Sequence, residues 1–259
     1  MMYNQVMSSI SLSVVIPCYN EVANLRKGVL DKVDAFLKKQ KYSTEILVVD
    51  DGSTDGSVEF IRKFVKDHNN FKLIESQHMG KAGAVTIGML QAKGEYRLFT
   101  DMDLATPIEE VNNLLAFSGR GFDVVIGSRS TRREGSPLLR LFISRCQVLL
   151  RKTIVGLREI SDTQCGFKMF EGKVAEKLFS KVKDIHHGFK TIHGSNVTSG
   201  FDIELLYLAE KMGYSIEEVP VKWLYVETRR VNPIRDSIQG VMDLMQIKLN
   251  ALSGKYSAS

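Results

Sequence analysis

TDMDLATP, Thr100 to Pro107, sets two carboxylates two positions apart directly after an apolar run, YRLF. Crowding like charges beside a core costs free energy unless a cation stands between them. If strand geometry continues past Phe99, Asp101 and Asp103 point to one side. A hard divalent cation such as Mg²⁺ would then satisfy both, since it is held by one or two carboxylates and keeps positions for phosphate and water. The DxD spacing is common, and a turn before a helix accounts for one of the aspartates equally well.

Three further clusters carry similar chemistry. In VVDDGSTDGS, Asp50 or Asp51 could accept hydrogen bonds from a base N–H or a ribose, while Gly52, Ser53 and Asp55 suit a turn and a helix cap. In HMGKAGAV the glycines allow close backbone approach, the following helix N-terminus favours anions, and Lys81 stands alongside. It lacks the GxxxxGK[ST] pattern of a P-loop, and a small-residue helix packed close on a sheet explains it as well. VVIPCYNE gathers Pro17, Tyr19, Asn20 and Glu21, where a base could stack or hydrogen-bond.

The elements that must hold these clusters alternate. SVVIP, EILVVD, KLIES, YRLFT and FDVVIG are short β-branched or apolar runs. The first is followed by VANLRKGVLDKVDAFL, one helix by spacing, and the second by a helix carrying Val58, Ile61 and Val65. Thr106, Pro107 and Glu109 have the spacing of a capping box for the helix after YRLFT. This grammar predicts an α/β fold with a doubly wound, mostly parallel sheet, whose ligands lie beyond the carboxyl ends of the strands. All four clusters fall at those ends.

The chain has 259 residues, 44% hydrophobic, enough for one large α/β domain spanning 1–259. A nucleotide-binding half, 1–130, is expected to precede an acceptor half, 131–259. A net charge of +5 and a pI near 9.0 suit an anionic partner. Nucleic acid is disfavoured, because phosphate-backbone binding has no use for clustered acids. Cys18, Cys146 and Cys165 are far apart and fit a reducing compartment. The first 20 residues have neither a basic start nor a continuous apolar run, so neither signal peptide nor membrane span is expected.

After Arg129 the pattern changes. Between Ile126 and Arg158 eight basic residues face one acid, interleaved with apolar side chains. Arg140 and Arg151 share a helical face with Ser144, Gln147 and Arg158, and Arg132 and Arg133 precede them. This segment, 132–158, either packs on the domain or lies in a membrane interface with its basic side toward lipid phosphates. Helices over Lys173–Phe179, Asp202–Met212 and 233–252 and a strand SIEEVPV complete the chain. HHGFKTIHGSN reads as a mobile loop, with His186, His187 and His193 solvated rather than bound to metal. Asp202 and Glu204 are candidate general bases, Asp202 also a candidate N-cap, and Trp223 reads as core.

The combined set SVVIPCYNE, VVDDGSTDGS, GKAGAV, TDMDLATP, IGSR, SDTQCGFKMF and FDIELLYLAEKMGYSIEEVPVKW resembles the inverting family 2 glycosyltransferases of GT-A fold. It is closest to the branch that transfers glucose or mannose from a sugar nucleotide to dolichyl or another polyprenyl phosphate, and nearer its glucosyl side. The resemblance implies that Pro17, Tyr19, Glu21 and Asp51 contact the nucleoside, with Lys81 nearby. It makes Asp101–Met102–Asp103 the segment at the diphosphate and the two aspartates the Mg²⁺ or Mn²⁺ ligands. Arg129 would meet phosphate charge, and Asp162, Gln164 and Lys168 would border sugar and acceptor. The segment from Lys183 to Ser199 is longer than this pattern expects. The partners implied are UDP-glucose (GDP-mannose or a glycan hydroxyl acceptor in the alternatives), a polyprenyl phosphate and the cytoplasmic face of a membrane, bound peripherally.

Overall fold

The computed structural model describes residues 11–129, 152–157, 159–189, 200–224 and 233–256. The basic residues Arg132, Arg133, Arg140 and Arg151 and the loop residue His193 lie outside these. Seven strands form one sheet: β1 (Leu12–Cys18), β2 (Thr44–Asp50), β3 (Phe71–Glu75), β4 (Tyr96–Thr100), β5 (Val124–Arg129), β6 (Phe167–Glu171) and β7 (Ile216–Val221). Their order is β3-β2-β1-β4-β6-β5-β7. All neighbouring pairs are parallel except those of β6, which runs antiparallel to both β4 and β5. The sheet is mostly parallel, as the alternating pattern requires. Strand β6 is the exception that pattern does not reveal.

Alternation along the strands divides the core in two. Val14, Ile16, Ile46, Val48 and Leu98 pack on one face, and Val15, Leu47, Val49 and Phe99 on the other. The first face is covered by α1 (Val22–Arg26), α2 (Val29–Leu37), α3 (Ser57–Phe64) and α5 (Val111–Ser118). The second is covered by α4 (Gly80–Gln91), α6 (Gly172–Ile185), α7 (Gly200–Lys211) and α8 (Pro233–Leu252). Helix α4 comes close enough that a Cβ on Gly88 would stand 2.3 Å from Val15 Cγ1, so its small residues do serve packing.

Two local expectations are corrected. The helix expected over VANLRKGVLDKVDAFL breaks at Gly28, whose φ of 73° is left-handed and which caps α2. The capping box at Thr106–Glu109 does not form. Pro107 occupies the cap of a short 3₁₀ turn, Ile108–Glu110, with no side-chain cap bond. Thr106 is buried instead, with its hydroxyl 3.7 Å from Cys165 Sγ.

Candidate active site

The carboxyl ends of β1, β2, β4, β5 and β7 lie along one edge of the sheet, and the antiparallel β6 starts there. Beyond Thr100 the strand gives way to a turn: the Leu104 N–H donates to the Asp101 carbonyl at 3.2 Å, and Leu104 has a φ of 48°. A bulky residue at positive φ is strained. Strand geometry therefore does not persist through the DMD segment, and this turn sets the two carboxylates. Asp101 Oδ1 lies 2.6 Å from Lys81 Nζ, in the first turn of α4. Burial alone would lower the Lys81 pKa; the charges of Asp101, Asp202 and Asp103 outweigh it and hold it above the ordinary lysine range. Burial pushes the Asp103 carboxyl up. The Ala105 N–H donating to its Oδ1 at 3.0 Å opposes this, and the Asp101 charge adds to it. Met102, expected at the nucleotide, turns its side chain into the core.

At the β1 and β2 ends, Asp50 and Asp51 divide the work. Asp50 Oδ2 accepts from the N–H groups of Gly52 and Ser53 and shapes the turn. Asp51 is buried and its carboxylate accepts from the Met79 and Gly80 N–H groups and from His78 Nδ1, at 2.7, 2.8 and 2.7 Å. It thereby anchors the start of α4, the helix that carries Lys81. Tyr19 stacks on His78 with ring centroids 4.0 Å apart, and Pro17 lies half-buried at the end of β1. Glu21 accepts from Asn24 Nδ2 and its N–H donates to Ser57. His78 escaped sequence reasoning; its only signal was its place just before the GKAGA cluster.

The residues expected to border phosphate, sugar and acceptor form two ion pairs. Arg129 donates from Nε and Nη2 to Asp162 at 2.6 and 2.7 Å, and its backbone N–H donates to the same carboxylate. The Gln164 N–H donates to Asp162 as well. Burial would raise the Asp162 pKa, but the Arg129 guanidinium holds it below the usual carboxylate range. Glu218 of β7 in turn accepts from the Ser161 and Asp162 N–H groups, both at 2.7 Å, a positioning contact the sequence did not reveal. Lys168 is fully buried and bonds Asp202 and the Cys165 carbonyl, each at 2.5 Å. Its register position opposite Phe99 on β4 brings it under the DMD turn. Trp223, expected in the core, is 39% exposed, with the Arg129 guanidinium 5.9 Å from its ring centre.

Other candidates have different work. Asp202 is the third residue of α7, so it is no N-cap, and it neutralises Lys168. Glu204 is buried and accepts from Tyr256 Oη at 2.5 Å and His186 Nε2 at 2.6 Å. His186 is therefore paired rather than solvated.

Asp101 and Asp103 offer only hard oxygen donors. Gly166 leaves the space Asp101 needs: a Cβ there would stand 1.9 Å from Asp101 Oδ2. Among the described residues no three His, Cys, Asp or Glu side chains gather as a metal cage. This donor set fits a hard divalent cation whose shell is completed by substrate phosphate and water.

An acidic turn at the carboxyl edge of a mostly parallel sheet, next to a helix start carrying a lysine, fits a hard cation beside an anionic ligand, and the class of the protein follows from its relatives. The chain belongs to glycosyl transferase family 2, whose family model matches residues 13–179. It is 35% identical to the dolichyl-phosphate beta-glucosyltransferase of Saccharomyces cerevisiae, over 95% of this chain and 77% of that protein. With the Drosophila melanogaster protein of the same name the identity is 34%, over 96% and 77%. A mannosyltransferase from Pyrobaculum calidifontis, solved with GDP-Man and Mn2+, shares the fold with a TM-score of 0.55 at 18% identity, over 96% of this chain and 76% of that one.

Proposed function

We propose that this protein moves glucose from UDP-glucose, with inversion at the anomeric carbon, onto the phosphate of dolichol or another polyprenol. The relatives named above supply the reaction class. One observation in this chain carries the choice of acceptor. A hydroxyl acceptor needs a general base, and the carboxylates best placed by sequence for that task, Asp202 and Glu204, are committed to Lys168 and to Tyr256 with His186. A phosphate monoester has a second pKa of about 6 and arrives ionised, needing no base.

In this reading Tyr19, His78 and Asp51 border the nucleoside, with Pro17 and Glu21 beside them. Lys81 meets diphosphate charge once Asp101 is engaged elsewhere. Asp101 and Asp103 would hold Mg²⁺ or Mn²⁺, which when bound would supply Lewis-acid stabilisation of the leaving diphosphate. The Arg129–Asp162 pair, propped by Glu218 and bordered by Gln164, faces the acceptor phosphate. Lys168, wholly buried, positions Asp202 rather than touching substrate. The basic residues Arg132, Arg133, Arg140 and Arg151, which lie outside the described residues, are assigned from their sequence pattern to lipid phosphates, and the protein works peripherally at the cytoplasmic face of a membrane. Among the described residues no helix is long and apolar enough to cross one.

The test is a panel of nucleotide sugars, each incubated with Mg²⁺ or Mn²⁺ and a polyprenyl phosphate, with the glycolipid identified by mass spectrometry. Glucosyl transfer from UDP-glucose to the phosphate is expected. Transfer only to hydroxyl acceptors would overturn the reading.

A further inference from the structure

Eight large hydrophobic side chains are exposed among the described residues, and five of them lie on α8: Ile238, Met242, Met245, Leu249 and Leu252, each 57% exposed or more. Their spacings of four, three, four and three residues put all five on one helical stripe. The opposite side holds Leu244 and Ile247, buried against the second face of the core. A further pair, Trp223 and Leu224, is exposed at the carboxyl end of β7, where the Leu224 N–H donates to Ala105 just after the DMD turn.

We infer that this stripe of α8 is a lipid-docking face, which seats the mouth of the site on a bilayer surface. The inference rests on the lipid-borne acceptor proposed above. Two observations select lipid over a second copy of the chain. From Ile238 to Leu252 the only carboxylate is Asp243, and it is turned toward the body, accepting from the Gly200 N–H at 3.0 Å. The exposed flanks carry Gln239, Gln246 and Lys248. A homotypic helix pair with this seam would set lysine against lysine or glutamine, without the opposite charges that fix such pairs. Lipid phosphates complement the lysine directly. The contact with Gly200 also ties α8 to the start of α7, two residues before Asp202. The apolar stripe therefore passes the start of α7 at Asp243 and runs about 20 Å along the helix.

The test compares the wild-type chain with Met245→Glu and Leu249→Glu, solvent-facing changes that leave the packed side intact. Flotation with vesicles of phosphatidylcholine and phosphatidylserine is expected to show affinity reduced at least about tenfold in each variant. Transfer to a short, water-soluble polyprenyl phosphate should be unchanged. Equal vesicle binding by all three proteins overturns the inference. So does a wild-type dimer that becomes monomeric in the variants by sedimentation velocity, because the stripe then belongs to a second copy. If vesicle binding falls as expected but no polyprenyl phosphate accepts sugar from any of the three, the docking face stands and the proposed reaction fails.

Discussion

Lys81 and Asp101 meet at 2.6 Å, so in the protein alone the positive partner of the DMD segment is a lysine from the next-door helix start. A cation binding Asp101 competes with the lysine charge for the same carboxylate. Lys81→Met is therefore expected to tighten Mn²⁺ binding without nucleotide and to weaken UDP binding. Both side chains are partly exposed, at 29% and 42%, so the gain is modest, about threefold to tenfold. Electron paramagnetic resonance of free Mn²⁺ reads the first effect and calorimetry the second. Mn²⁺ affinity that is equal or weaker in the variant would refute the competition.

Gly166 and Gly88 separate function from stability. A Cβ on Gly166 meets the Asp101 carboxylate, a partly exposed group that can swing aside, so Gly166→Ala should lower metal affinity and activity at least about tenfold with little change in Tm. A Cβ on Gly88 meets Val15 and Val49 inside the core, where nothing can move freely. Gly88→Ala is expected to destabilise by about 1–3 kcal/mol. Denaturant melts and activity per folded molecule distinguish them, and a Gly166→Ala enzyme with normal metal affinity would contradict the contact.

The strands that carry the site were legible as β-branched, apolar or alternating runs, and β1, β2, β4 and β7 fall where those runs lie. β6 was not. GFKMF was visible as part of a motif, but antiparallel insertion between β4 and β5 is decided by pairing between segments far apart in the chain, Tyr96 with Glu171 and Val124 with Phe170, which periodicity does not record. With β6 hidden, the contact of Gly166 with Asp101 was hidden too. Glu218 looked like an ordinary polar residue of an alternating strand. The acidic pair itself was legible, and its lysine partner was noticed only as a neighbour of anions, since 20 residues of chain separate Lys81 from Asp101.

The Arg129–Asp162 pair makes stability depend on acid. The folded-state pKa of Asp162 is depressed, so its contribution is fully present above the ordinary carboxylate value of about 4 and is lost as pH falls through the lower folded value. Asp162→Asn should flatten the loss of stability below about pH 4 while lowering stability at pH 7 by about 1–3 kcal/mol, because Arg129 is then left largely buried without its charge partner. Denaturant titrations at pH 7, 4 and 3 check this. Parallel wild-type and variant profiles would show that the pair carries no such linkage.

Glu204 is the sharpest point at which acceptor chemistry and architecture divide. Its two oxygens tie α7 to Tyr256, just beyond α8, and to His186 at the end of α6. Were it a general base, Glu204→Gln would abolish turnover with the fold intact. As a buried structural acceptor it predicts the reverse: stability falls by about 1–3 kcal/mol, since an amide has one accepting oxygen where the carboxylate offers two. Turnover per folded molecule at saturating phosphate acceptor should stay within about twofold of wild type, because an ionised phosphate needs no proton removed. Tyr256→Phe should show a similar loss of stability and the same retained turnover. A Glu204→Gln enzyme with full stability and kcat reduced a thousandfold would assign the proton-abstracting role to this residue and return a hydroxyl acceptor to consideration.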